Sequence, residues 1–147
     1  QPFAGNDAVR SLPPELLEQT VRMLRTLPFP VFIVTRSYLR SDGRSKTMHA
    51  AEDARRFAGG NVTVLENLTV PATLNLIKSC RAYVGSWSSL QQAAWYEHKP
   101  VAVFYPENYL QAMQRTGYAF GMNRASTLGR EFSQASEEEL AAFLQRW

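Results

Sequence analysis

Hydrophobic and polar positions along this chain follow two rhythms. Leu17, Val21, Leu24 and Leu27 recur at helical spacing behind Ser11-Leu-Pro-Pro-Glu15, whose prolines suit an opening helical turn. Pro28 and Pro30 predict the end of that helix. Val31 to Thr35 is then a short, unbroken, β-branched apolar run, the pattern of a strand covered on both faces. Residues 36–48 are polar and basic, which predicts a loop. Residues 49–58 read as helix, halted by Gly59 and Gly60. Val62 to Leu65 gives a second strand, and Thr69 opens a helix carrying Leu74, Ile77 and Cys80. Ala82 to Val84, Leu90 to Glu97 and Val101 to Phe104 follow as strand, helix and strand.

Residues 107–135 are less regular, with a helix expected near 108–115 and a weak strand near 126–128. The closing helix is clearer. Ser136 and Glu139 have capping-box spacing, and Leu140, Phe143, Leu144 and Trp147 keep one apolar face. Strands that alternate with helices over short links make a parallel sheet covered on both sides. Right-handed crossovers make that sheet Rossmann-like. The expected fold class is α/β, a Rossmann-like parallel sheet with helices on both faces, in one domain over residues 1–147. No internal repeat, low-complexity tract or linker interrupts it.

Composition changes this picture only at its margins. The chain has 147 residues, 45% hydrophobic and 20% charged, ordinary for a globular domain with a real core. A net charge of +3 suits an anionic small ligand and is too weak to argue nucleic acid. Cys80 is the one cysteine, so no internal disulfide can form. No apolar run approaches the roughly 18 residues of a membrane span. A cytoplasmic location is expected, with peripheral membrane contact left open. Gln1-Pro2-Phe3 lacks signal-peptide character, and a fragment missing an N-terminal domain is expected.

Candidate chemistry concentrates after the strand at Ala82 to Val84. Gly85, Ser86, Trp87, Ser88 and Ser89 are predicted to form a tight turn into a helix. Unpaired N–H groups and partial positive charge at a helix N-terminus suit a phosphate. The carboxyl ends of strands are also where open parallel sheets hold ligands. Gly85 permits tight backbone geometry, and the three serines offer hydroxyls. A serine at a helix start is equally an ordinary N-cap, worth about 1 kcal/mol. Trp87 can stack on a base or sugar, cover the core, or meet another domain. These alternatives stay open at the level of sequence.

Other features exclude more than they assign. Neither a Gly-x-Gly-x-x-Gly nor a Walker A sequence occurs, and Gly-x-Ser-x-Gly is absent. Arg36, Arg40, Arg44 and Lys46 share one loop, which can reach phosphates or remain a solvated basic run. His49 and His98 have no metal-ligand spacing, and neither metal nor other cofactor is expected. His98 is placed in a surface turn. Asn61 and Asn67 begin glycosylation sequons that, without a secretory signal, read as chance matches.

Taken together, these segments resemble the C-terminal, donor-binding half of the ADP-heptose:lipopolysaccharide heptosyltransferase family of glycosyltransferases. Gln1-Pro-Phe-Ala-Gly-Asn6 is similar to the opening of that family's second domain. Arg10-Ser-Leu-Pro13 resembles its basic-x-Trp-Pro step. Leu68-Thr-Val-Pro-Ala-Thr-Leu74 resembles its loop and helix start. Val84-Gly-Ser-Trp-Ser-Ser-Leu-Gln-Gln-Ala-Ala94 falls on its Gly-x-Asp-(Ser/Thr)-Gly-x-x-His-x-x-Ala box, and Lys99 to Pro106 on the strand that follows. The order and spacing agree without gaps from Val84 to Pro106.

The resemblance implies a two-domain GT-B enzyme with a nucleotide-sugar in the cleft. By position, Arg10 would face the diphosphate, and Leu68 would border the nucleobase. Ser88 and Ser89 would take the (Ser/Thr)-Gly places, and Gln92 the histidine's. Three departures stand out: Trp87 for aspartate, Ser89 for glycine and Gln92 for histidine. Gln92 can still donate a hydrogen bond but cannot become cationic. The expected donor-site residues are Arg10, Leu68, Gly85, Ser86, Trp87, Ser88, Ser89 and Gln92. The family's catalytic base belongs to the other domain, so this chain alone is expected to bind a nucleotide-sugar and not turn it over. The alternative is a non-catalytic interaction or structural module, with Trp87, Trp95 and Tyr96 as an aromatic contact surface.

Overall fold

The structure is a computed structural model that describes residues 12–35, 54–86, 88–107 and 126–147. The loop expected at 36–48 and the helix expected near 108–115 lie outside the described residues. Helix α1 spans Pro14–Leu24 and leads to strand β1, Val31–Thr35. Strand β2, Val62–Glu66, is followed by α2, Val70–Ser79, and β3, Tyr83–Ser86. Helix α3, Ser89–Tyr96, joins β3 to β4, Val101–Tyr105. Strand β5, Thr127–Glu131, and helix α4, Glu137–Gln145, close the chain.

Every strand pair is parallel. β1 and β2 run in register from Val31 opposite Val62 to Thr35 opposite Glu66. β4 lies between β3 and β5, with Val101 opposite Tyr83 on one side and Thr127 on the other. Among the described residues the strands fall in two groups, ordered β1-β2 and β3-β4-β5. All five residues of β4 are buried, as a strand covered on both faces must be. Side-chain alternation sorts them. Val101, Val103 and Tyr105 pack with Ile77 of α2 and Ala94 of α3, whereas Ala102 and Phe104 pack with Val21 of α1 and Phe143 of α4. Helices α2 and α3 therefore cover one face, and α1 and α4 the other. The result is the three-layer α/β arrangement that the alternating pattern predicts.

The helix ends show local sequence at work, with some corrections. α1 stops at Leu24, several residues before Pro28. Asn61 Nδ2 donates to the Leu24 carbonyl at the helix end and to those of Leu27 and Phe29 just beyond it, at 3.2, 3.0 and 3.0 Å. Thr26 and Leu27 add tight i→i−3 bonds to Met23 and Leu24, so the chain unwinds before proline forces it to. The first sequon asparagine is thus a structural clamp. In α2, Thr69 caps the helix by accepting from the Ala72 N–H at 3.3 Å. Ile77 is buried, but Leu74 is 37% exposed, so the apolar stripe is narrower than the spacing suggests.

Only half of the expected capping box forms. Ser136 Oγ accepts from the Glu139 N–H at 3.4 Å. The Glu139 carboxylate turns instead to Arg130 of β5, with Nε to Oε2 at 2.9 Å. That guanidinium holds the Glu139 carboxyl below its usual range, because a charge-assisted pair favours the ionised acid. Trp147 lies past the helix and is 42% exposed, so it does not complete the apolar face.

The Asn61 clamp makes a direct prediction. Asn61→Ala removes a donor from the Leu27 and Phe29 carbonyls, while Leu24 keeps its bond from the Leu27 N–H, and is expected to cost about 2 kcal/mol, the usual scale for unsatisfied polar groups. Asn61→Asp is expected to cost at least as much, since a carboxylate cannot donate and would face three carbonyl oxygens. Urea denaturation of both variants checks this; an Asp variant as stable as the original would refute the clamp.

Candidate functional site

The connection from β3 to α3 begins deeper in the sheet than its composition suggests. Gly85 and Ser86 are strand residues, paired opposite Val103 and Phe104 of β4, and not part of a turn. Trp87 and Arg10 lie outside the described residues. Ser88 is the N-cap of α3, its Oγ accepting from the Gln91 N–H at 3.4 Å. The same Oγ shares a hydrogen bond with the Tyr83 hydroxyl at 3.2 Å. Tyr83 is buried, and burial pushes its hydroxyl well above the ordinary range, with the Ser88 bond opposing that shift.

The three serines therefore play different parts. Ser86 is wholly buried, and its Oγ has no hydrogen-bond partner. Val84, two residues earlier, packs on the α1 and α4 side, so strand alternation turns Ser86 the same way. Ser88 spends its hydroxyl inside the protein. Ser89 is exposed at the first helical position. Gln92 is half-buried, and its N–H closes the first helical bond to the Ser88 carbonyl at 3.3 Å. Leu68 is half-buried at the carboxyl end of β2, next to the Thr69 cap. Ser86, Ser88, Ser89 and Gln92 are thus brought together by one connection, and Leu68 shares their edge of the fold from the neighbouring sheet.

Gln91 is the polar residue the sequence reading passed over. Its side chain is fully buried one turn into α3, and neither Nε2 nor Oε1 has a hydrogen-bond partner. A buried side-chain amide without partners costs free energy and calls for an explanation. The available signal was its place on the inner stripe of α3, three residues before the buried Ala94. Thr35, the last residue of β1, is likewise buried with an unpartnered Oγ1.

Among the described residues this connection offers neutral groups, the exposed Ser89 hydroxyl and the N–H groups of Ser89 and Leu90, which have no intrahelical acceptor, with the Gln91 amide buried behind them. Such a set can hold an anion or a polyol and can transfer no proton. Among the described residues no group of three His, Cys, Asp or Glu side chains is arranged to hold a metal. His98 sits in the exposed turn after α3, with φ at 55°.

No family model matches this chain, and no curated relative matches it. Among solved structures, E. coli heptosyltransferase WaaC with ADP is similar, with a TM-score of 0.70 and 14% sequence identity. The alignment covers 97% of this chain and 42% of that one. The chain thus spans less than half of that structure and shares the fold of a Rossmann-like glycosyltransferase half. No described helix is long and apolar enough to cross a membrane.

Tyr83 gives this region a pH signature. Its folded-state value is raised, so the stability it contributes is complete below the unfolded tyrosine value of about 10. That contribution is lost as pH climbs from there toward the folded value. Tyr83→Phe is expected to flatten the alkaline decline, leaving a smaller one from Tyr105, whose hydroxyl burial also raises. Denaturation midpoints measured from pH about 8 to 12 check this; parallel curves for the two proteins would refute it.

Proposed function

We propose that this chain is the donor-binding half of a glycosyltransferase, holding a nucleotide-sugar at the carboxyl edge of β3 and the opening turn of α3. In the whole protein, a sugar passes from the nucleotide to a hydroxyl acceptor, and the catalytic base belongs to a partner domain. The chain alone binds and does not turn over. Its part is to position the donor and neutralise the leaving diphosphate.

One observation carries this reading. The open N–H groups of Ser89 and Leu90 stand beside the buried, unpartnered Gln91 amide, at the end of the sheet where α/β folds hold ligands. The likeness of fold to E. coli heptosyltransferase WaaC with ADP agrees with it. In this reading Ser89 and Leu90 present amides to the diphosphate, Arg10 adds charge, Leu68 borders the base, and Gln92 supplies neutral bonds. Ser86 and Ser88 support the turn from behind.

The test is a titration of ADP, ADP-sugars and UDP-sugars followed by amide chemical shifts. Saturable shifts centred on Ser89 to Gln92 are expected. Ser89→Glu is the informative variant. A carboxylate in the first turn favours the helix, so the fold should hold, while the same charge repels a phosphate. Binding is expected to weaken at least tenfold, about 1.4 kcal/mol. Absence of shifts at millimolar nucleotide, or unchanged affinity in Ser89→Glu, refutes the reading.

A second reading rests on α3's outer surface. Tyr96 is 84% exposed, and beside it Trp95 is half-buried, packed on the core with its Nε1 buried. If the site has lost its ligand, these rings are the natural contact surface of a non-catalytic module. Tyr96→Ala would then abolish partner capture while leaving nucleotide shifts absent in both proteins.

A further inference from the structure

A buried phenol stands where packing alone requires only a ring. Tyr83, the first residue of β3, is buried in the layer between the sheet and α3. It belongs to the apolar cluster that holds Ile77 of α2, Ala94 of α3, and Val101, Val103 and Tyr105 of β4. A phenylalanine fills such a space without taking a hydroxyl out of water, a transfer that costs free energy unless the hydroxyl is bonded. Here the hydroxyl reaches Ser88 Oγ at 3.2 Å. One side chain thus connects the start of β3 to the N-cap of the helix that follows its far end.

The protons give that bond a direction. Ser88 Oγ accepts from the Gln91 N–H at 3.4 Å, which uses one of its two lone pairs. Ser88 is half-buried and can offer its own proton to water. Tyr83 is buried, and among the described residues its hydroxyl is bonded to Ser88 alone. Were Ser88 the donor, the phenolic proton would be buried without an acceptor, which folded proteins avoid. The phenol therefore donates, and Ser88 Oγ accepts twice.

Two bonds to one oxygen fix a side chain that one bond leaves free. A serine cap with a single partner abandons it by turning about χ1 to another staggered well. Held from the helix and from the sheet, Ser88 would lose both bonds by the same turn. The polar side chains flanking it in the chain give no such hold, since Ser86 Oγ and the Gln91 amide are buried without hydrogen-bond partners. Among the described side chains, the Tyr83–Ser88 bond is what ties the opening turn of α3 to the sheet by hydrogen bonding. The aim of the Ser89 and Leu90 N–H groups follows from that turn, and a binding constellation tolerates errors of only about 0.5 Å.

We propose that Tyr83 is a positioning residue for the candidate donor site, its buried hydroxyl donating to Ser88 and so fixing the cap that aims the Ser89 and Leu90 N–H groups at a diphosphate. The role rests on the donor-binding reading given above. Tyr83 touches no ligand and acts through Ser88.

The test uses the 147-residue chain with ADP as the probe. Tyr83→Phe removes the hydroxyl and keeps the ring. Para-aminophenylalanine in place of Tyr83 restores a donor at the same point of the ring, and para-fluorophenylalanine supplies a polar substituent with no proton. Ile77→Val, within the same apolar cluster, is a packing loss that leaves the cap alone. Amide hydrogen exchange of Gln91 relative to Ala94, two residues of one helix, reports the cap without ligand. Titration with ADP reports the aim of the amides. Tyr83→Phe and the fluoro variant are expected to raise the exchange ratio and to weaken ADP about fivefold, the scale of one lost hydrogen bond. The amino variant should restore both, and Ile77→Val should change neither. An unchanged exchange ratio in Tyr83→Phe overturns the proposal, as does a raised ratio with unchanged ADP affinity. Equal losses in Ile77→Val, or no rescue by the amino variant, reduce Tyr83 to packing and overturn it too. If the original chain binds no ADP, the donor reading itself falls, and with it the site that Tyr83 would position; the other outcomes remove Tyr83's role while that reading stands.

Discussion

A parallel strand can be buried on both faces only if its neighbours bond all of its main-chain groups. That requirement organises this molecule. β4 meets it, with a partner on each edge, and so its five side chains can be divided between two helix layers. In water the main-chain groups of an edge strand have a substitute partner, but beneath a helix they do not. β1 differs in that Phe32 is 45% exposed, whereas no residue of β4 is. The three-layer form, the depth of Ser86 and the position of the candidate site all follow from where this central strand lies.

The elements legible in the sequence are those whose signal is local. β1, β2 and β4 are continuous β-branched runs, and their bounds agree with the structure to within a residue at each end. The caps at Thr69 and Ser136 were readable because one side-chain oxygen and one N–H decide them. The errors have a common physical cause, which is a partner distant in sequence. At the end of α1, Asn61 takes the carbonyls of Leu24, Leu27 and Phe29 from 37, 34 and 32 residues away. Glu139 abandons its box for Arg130 across a chain reversal. No periodicity encodes such choices.

The candidate site divides in the same way. That a strand-to-helix connection follows β3 was legible, because a glycine-and-serine segment followed by a helical pattern marks one. Which serine faces outward was not legible. Strand pairing carries Gly85 and Ser86 into the sheet, and Tyr83, only five residues back, claims Ser88. Gln91 escaped notice because a glutamine beside another in a helix looks like surface. Its burial depends on α3 packing flush against the sheet, a fact of tertiary structure alone.

The departures from the heptosyltransferase box gain a physical meaning from this geometry. A serine at the place of the box's glycine puts a side chain at the first helical position, and here that residue is exposed. Gln92 is half-buried and remains a neutral hydrogen-bonding group where a histidine could carry charge. A donor site of the proposed kind would depend on oriented dipoles and would lack the pH sensitivity an imidazole brings. In that proposal main-chain N–H groups, held in place by the Ser88 cap, would govern affinity, with side-chain charge in a secondary part.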